Sequence, residues 1–192
     1  MSWLPNLLSL LRLPLAAWVA VSILHQGYRQ ALVWLMVAGI TDGLDGTLAR
    51  RQGSVSRLGA YLDPVADKAL LVTVYLALGG AALIPLWLVM IVVGRDLLIL
   101  VSAGAALAAT RQRNFEPSVW GKLSTLVQIV TGVVVIANQA FPSSMVSLWA
   151  AILPPLTAVT TGWSGIHYAW RGVRILRGGR VAEKIDAARQ RE

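Results

Sequence analysis

Six predominantly apolar stretches run along the chain, near residues 5–24, 31–49, 62–78, 83–108, 119–138 and 147–170. Each is close to the roughly 20 residues that a helix needs to cross the hydrocarbon of a bilayer. Polar and turn-forming residues separate them: His25-Gln26-Gly27, Arg51 to Ser54, Gly79-Gly80, Arg111 to Asn114, and Phe141 to Ser144. The pattern predicts an all-α integral membrane protein, a six-transmembrane-helix bundle filling residues 1–170. Residues 171–192 are basic and mostly polar. They predict a cytosolic tail, in part an amphipathic helix on the membrane surface. Pro154-Pro155 predicts a kink in the sixth helix. No internal repeat or low-complexity tract interrupts this plan.

Composition agrees. Of 192 residues, 56% are hydrophobic and 14% charged, whereas soluble domains carry about 25% charged residues. The mean hydropathy is +0.65. A net charge of +8 raises nucleic acid as a partner, but the basic residues lie between and after the apolar stretches, so nucleic acid is not expected. Arg50, Arg51, Arg57, Arg111, Arg113 and the basic residues of 171–192 fall on one side of the alternating connections, and Arg29 on the other. Positive charge marks the inside, so both termini and the 50–62 connection are expected to face the cytoplasm of an inner-membrane-like bilayer. The N-terminal stretch has no basic lead and is interrupted by Arg12, so it is expected to be a retained first helix rather than a signal peptide. There is no cysteine, which excludes disulfides, thiolate metal sites and cysteine nucleophiles. Eight tryptophans, mostly near stretch ends, suggest an interfacial belt. His25 and His167 read as ordinary polar residues rather than metal ligands.

The chemistry lies in the acidic residues. Five of the nine, Asp42, Asp45, Asp63, Asp67 and Asp96, fall within or at the ends of apolar stretches. One aspartate at a helix centre costs about 2.5–3.5 kcal/mol on insertion scales, so four facing lipid would cost on the order of 10 kcal/mol. They must face the bundle interior, a wet cavity or a cation. Asp42 and Asp45 are spaced i, i+3 at the end of the second stretch, and Asp63 and Asp67 i, i+4 at the start of the third. Each pair shares a helix face, and two antiparallel helices with a short connection bring the pairs to one depth. Carboxylates without cysteine or flanking histidine suit a hard cation, Mg²⁺, Mn²⁺ or Ca²⁺. Mg²⁺ commonly shares its sphere with substrate phosphates, which makes a diphosphate a natural ligand. Gly43, Gly46 and Gly59 beside the cluster suggest close approach of a ligand, or of a neighbouring helix.

From Asp42 the chain reads DGLDGTLARRQGSVSRLGAYLDPVAD, which fits D-G-x-D-G-x-x-A-R-x8-G-x3-D-x3-D at every fixed position. This resembles the signature of the CDP-alcohol phosphatidyltransferase family. LLSLLRLPLA, LDPVADKALL, GRDLLIL and GKLSTLVQ also look similar to segments of that family. The resemblance implies a six-helix bundle, a homodimer, and a polar metal site near the cytoplasmic face. It further implies that Asp42, Asp45, Asp63 and Asp67 bind Mg²⁺ or Mn²⁺, as two ions. Asp67 is similar to the family's proposed general base, and Gly46, Ala49, Arg50 and Gly59 match positions that hold the CDP moiety. The implied reaction moves a phosphatidyl group from CDP-diacylglycerol to a glycerol-type acceptor and releases CMP.

Arg12, Arg95 and Lys122 lie in apolar stretches and match basic positions of members that use glycerol phosphate, so they are candidate acceptor-binding residues. Simple charge balance is the competing reading, above all Arg95 against Asp96. Glycerol 3-phosphate is the first expectation for the acceptor, as in a phosphatidylglycerophosphate synthase. Gly94-Arg95-Asp96 and Ser124 depart from that pattern, and LIPLWLVMIVVGRDLLIL is similar to cardiolipin synthases of the family, which makes phosphatidylglycerol the alternative. A cation channel or transporter would account for carboxylates in a membrane. It would not account for the A-R-x8-G spacing or for their confinement to one face. A scaffold without activity is opposed by the intact motif.

Overall fold

A computed structural model describes the backbone of residues 3–52, 59–110 and 119–189, and the side chains of 10–42, 66–101 and 119–170. The described residues form six helices: α1 (Trp3–Leu24), α2 (Tyr28–Gln52), α3 (Gly59–Gly80), α4 (Leu86–Thr110), α5 (Val119–Ala140) and α6 (Ser144–Arg189). The six apolar stretches thus become six helices in the expected order, each running past its stretch at one end or both, although α4 starts at Leu86 rather than at 83. The largest extension is in α6, which continues from Ser144 to Arg189 through Pro154 and Pro155. The expected boundary between bundle and tail at residue 170 is therefore not a break in secondary structure.

Tight turns join the helices into hairpins. After α1, the Gly27 N–H donates to the Ser22 carbonyl at 2.8 Å and the Gln26 N–H to the Ile23 carbonyl at 3.0 Å. After α3, the Leu83 N–H donates to Leu78 at 2.9 Å and the Ala82 N–H to Gly79 at 3.0 Å. Both are Schellman closures, which need one left-handed residue just past the helix. Gln26 (φ 61°) and Ala82 (φ 55°) take that conformation. The glycines that signalled these turns in the sequence stand beside the strained position rather than on it. Ser143 caps α6, its Oγ accepting from the Val146 N–H at 3.3 Å.

α1 packs between α2 and α3, α6 between α4 and α5, and α2 also meets α5. Val19, Ile23, Tyr75, Leu78, Leu88, Val92 and Ile136 form one apolar core across α1, α3, α4 and α5. Around it the usual distribution of polarity is reversed. Ser124, Gln128, Thr131, Thr157, Thr161 and Ser164 are fully buried between α5 and α6, while Met90, Val159 and Ile166 are about 70% exposed. Isolated exposed apolar residues are ordinary; buried polar groups combined with a broad apolar exterior are what a lipid-facing bundle requires. Among the described residues two segments, Val119–Ala140 and Ser144–Trp170, are long and apolar enough to cross a membrane.

Candidate active site

One aspartate of α2 and one of α3 converge on a single residue of α1. Arg12 is 1% exposed, and its Nη2 lies 2.8 Å from Asp42 Oδ1. Its Nη1 donates to Asp67 Oδ1. Asp42 and Asp67, 25 positions apart in the sequence, therefore converge on one guanidinium. The guanidinium is sealed in while both carboxylates stay about half exposed, at 53% and 48%. This orients them outward into a cavity of about 360 Å³.

That cavity lies between α1, α2, α3 and α5. Arg12, Asp42, Asp67 and Lys68 form its charged end, and Leu35, Leu70, Leu71, Val74 and Ile129 form most of the rest. Gly39 contributes room, since a Cβ there would meet nothing within 4 Å. A charged mouth on an apolar pocket suits a ligand with an ionic head and a hydrocarbon body.

A second charged cluster lies behind the first. Asp96 of α4 is 2% exposed. Its Oδ1 is 2.7 Å from Lys68 Nζ and 2.6 Å from Arg95 Nη1. Arg95 also donates from Nη2 to the Gly121 carbonyl at 3.2 Å and to Ser164 Oγ at 3.0 Å. The ring of Tyr168 lies 5.9 Å from its guanidinium carbon. Arg95 thus ties α4 to α5 and α6, which is the charge-balance arrangement weighed against acceptor binding. Of the three expected acceptor cations, the cavity wall includes Arg12, and not Arg95 or Lys122. Lys122 is an exposed residue of α5.

The sequence reading did not single out Lys68, nor the polar ladder between α5 and α6. Gln128 Nε2 donates to Thr161 Oγ1 at 2.9 Å, and the hydroxyls of Thr131 and Thr157 are 2.6 Å apart. Tyr75 Oη joins the ladder by donating to the Gln128 carbonyl at 3.0 Å. Its signal was available: residues 124, 128 and 131, and again 157, 161 and 164, repeat at helical spacing on one face of an apolar segment.

The donor set agrees with a hard divalent ion as far as it is described. Asp42 and Asp67 offer half-exposed carboxylate oxygens that converge at a cavity mouth, the ligand type such ions prefer. Among the described residues no three candidate ligands gather. The side chains of Asp45, Asp63, Gly46, Ala49, Arg50 and Gly59 lie outside the described residues.

The family model for CDP-alcohol phosphatidyltransferase matches residues 2–163. The chain belongs to the CDP-alcohol phosphatidyltransferase family. The resemblance carried by the 42–67 motif is therefore correct, and it extends across five helices and into the sixth. Among relatives of this chain, a cardiolipin synthase (CMP-forming) of Rattus norvegicus is 32% identical over 91% of this chain and 64% of its own length. A cardiolipin synthase (CMP-forming) of Streptomyces coelicolor is 31% identical over 96% of this chain and 86% of its own. A probable phosphatidylglycerophosphate synthase of Mycobacterium tuberculosis is 32% identical over 91% and 84%. The chain thus spans slightly less than two thirds of the rat protein and most of the two bacterial ones.

Proposed function

We propose that this protein transfers the phosphatidyl group of CDP-diacylglycerol to a hydroxyl of a glycerol-type acceptor and releases CMP. The observation that carries this reading is the convergence of Asp42 and Asp67, from two different helices, at the charged mouth of an otherwise apolar cavity. Lipid chains have an apolar wall to lie against, and the reacting phosphates have the charged end.

Asp67 accepts the proton of the acceptor hydroxyl as that oxygen attacks the phosphatidyl phosphorus. A new P–O bond forms, the P–O bond to the CMP phosphate breaks, and CMP departs with the bonding electron pair. Arg12 holds Asp67 and Asp42 in one place while this happens, since its guanidinium donates to both. Asp42, Asp45, Asp63 and Asp67 would hold two Mg²⁺ or Mn²⁺ ions. Bound there, divalent cations neutralise diphosphate charge and stabilise the leaving group. Gly46, Ala49, Arg50 and Gly59 receive the CDP moiety in this reading. The bundle crosses an inner-membrane-like bilayer six times as a homodimer, with both termini and the charged mouth on the cytoplasmic side.

Glycerol 3-phosphate is the first acceptor proposed and phosphatidylglycerol the second. Relatives named for either product are 31–32% identical to this chain, so similarity alone does not rank them. The decisive experiment supplies the purified protein with CDP-diacylglycerol and Mg²⁺ and measures CMP released with glycerol 3-phosphate, phosphatidylglycerol, inositol phosphate or serine. CMP formation that depends on a glycerol-type acceptor, and is lost in Asp67→Asn, is the expected result. No CMP with any acceptor, or undiminished turnover in Asp67→Asn, would refute the corresponding part of the proposal.

A further inference from the structure

We infer that Lys68 receives the phosphate of the acceptor, and that the buried carboxylate of Asp96 positions it; this rests on the function proposed above. Lys68 directly follows Asp67 on α3, and both line the charged end of the cavity. Its Nζ is 2.7 Å from Asp96 Oδ1, while 27% of its side chain remains accessible. An ammonium has three donors, and this ion pair uses one of them. Asp96 is held from behind by Arg95 Nη1 at 2.6 Å. Arg95 is fixed in turn by the Gly121 carbonyl and the Ser164 hydroxyl. Three helices thus set the position of one carboxylate, whose partner toward the cavity is Lys68.

The sign of charge divides the mouth. On one side Arg12 faces the carboxylates of Asp42 and Asp67, two negative charges to one positive among the described residues, which invites a cation. Behind it Lys68 and Arg95 share Asp96, two positive charges to one negative among the described residues, and Lys68 is the member of that cluster that lines the cavity, where it invites an anion. A buried or half-buried surplus of charge is costly until a counter-ion completes it. Both proposed acceptors are glycerols that carry a phosphate ester: a monoester in glycerol 3-phosphate, a diester in phosphatidylglycerol. With that phosphate on Lys68, the free hydroxyl of the same glycerol is delivered to the neighbouring Asp67. Lys68 takes no part in bond making; it binds and orients.

The test uses the full chain in detergent micelles, with CMP release measured while CDP-diacylglycerol and each acceptor are varied separately. Lys68→Gln is expected to raise the acceptor KM about 10- to 100-fold, the range for one charge-assisted hydrogen bond. The KM for CDP-diacylglycerol should stay within about threefold. Lys68→Arg should recover most of the loss. Asp96→Asn should shift the same KM in the same direction by a smaller factor. A selective rise with glycerol 3-phosphate alone, or with phosphatidylglycerol alone, supports the inference and says which ester the site takes. Equal rises in both KM values, or an unchanged acceptor KM in Lys68→Gln, overturn it while the functional reading stands. A wild-type protein that releases CMP with neither acceptor overturns both.

Discussion

Removing Arg95 and Asp96 separately and together tests whether their cluster works as one unit. In Arg95→Met, the polar partners lost are Asp96 Oδ1 at 2.6 Å, the Gly121 carbonyl at 3.2 Å and Ser164 Oγ at 3.0 Å. Breaking a buried ion pair by removing one partner costs roughly 3–5 kcal/mol. The lower end applies here, about 3 kcal/mol, because Lys68 still contacts the same carboxylate oxygen at 2.7 Å. In Asp96→Asn the position reverses. Two cations lose their shared counter-charge, one of them with a side chain only 4% exposed, so the cost rises into the middle of that range, about 4 kcal/mol. The double variant leaves only Lys68, which is 27% exposed and can turn toward the cavity mouth. Its destabilisation should fall short of the sum of the two by roughly 1.5–3 kcal/mol, the coupling of directly contacting charges. Equilibrium unfolding of the three variants and the parent in one detergent, at fixed lipid content, measures the cycle. Additivity within about 0.5 kcal/mol, or a cost below about 1 kcal/mol for Arg95→Met, would refute the view that this arginine is a structural tie between α4, α5 and α6.

Two further substitutions test the neighbouring packing. At Gly121 a Cβ would stand 2.9 Å from Tyr168 Oη and 3.3 Å from Arg95 Nη2, so Gly121→Ala should displace one of them and cost roughly 1–3 kcal/mol, read as a lowered unfolding midpoint; an unchanged midpoint would show that the ring moves without cost. Gln128→Leu removes the bonds to Ser124 and Thr161 but also removes a buried Oε1 that has no partner, and the two hydroxyls can still bond each other at 3.2 Å. It should therefore cost under about 1 kcal/mol, and a loss above about 2 kcal/mol in the same unfolding assay would mean that the amide carries more of the α5–α6 contact than its bonds indicate.

What could be read in advance follows from how information is stored along the chain. The helices were legible because each of them carries an apolar run, and a polar interruption is then the natural place for a turn. The ends were not, since helical hydrogen bonding does not stop where the apolar run stops: α6 continues through 171–189, where arginine, alanine, glutamate and lysine favour a helix and Gly172, Gly178 and Gly179 do not end it. The left-handed turn positions were missed for a different reason. Glycine marks where such a conformation is free, but a Schellman closure fixes it by hydrogen-bond register, and here the register falls on Gln26 and Ala82.

The same distinction separates the two halves of the candidate site. Asp42 and Asp67 were legible because carboxylates in an apolar helix are expensive enough to demand an explanation wherever they occur, and their spacing within one motif supplies it. Asp96 raised the same demand, and the cheapest answer, its neighbour Arg95, was correct but incomplete. Nothing in the sequence around Asp96 points to Lys68, which lies 28 positions away on another helix and reaches it only once α3 and α4 pack. Arg12 matched an acceptor-binding position of the family, and its geometry adds a clasp on two carboxylates at the wall of the same cavity. A lone charge in an apolar run thus announces that it has a partner without naming the partner. Packing decides which cations answer which carboxylates, and here, among the described residues, it sets Asp42 and Asp67 on Arg12 and turns Lys68, held by Asp96, to the same cavity. That arrangement suits the proposed transfer, in which a diphosphate and a phosphorylated alcohol would lie side by side, and Lys68→Glu should abolish acceptor-dependent CMP release while leaving CDP-diacylglycerol binding in place.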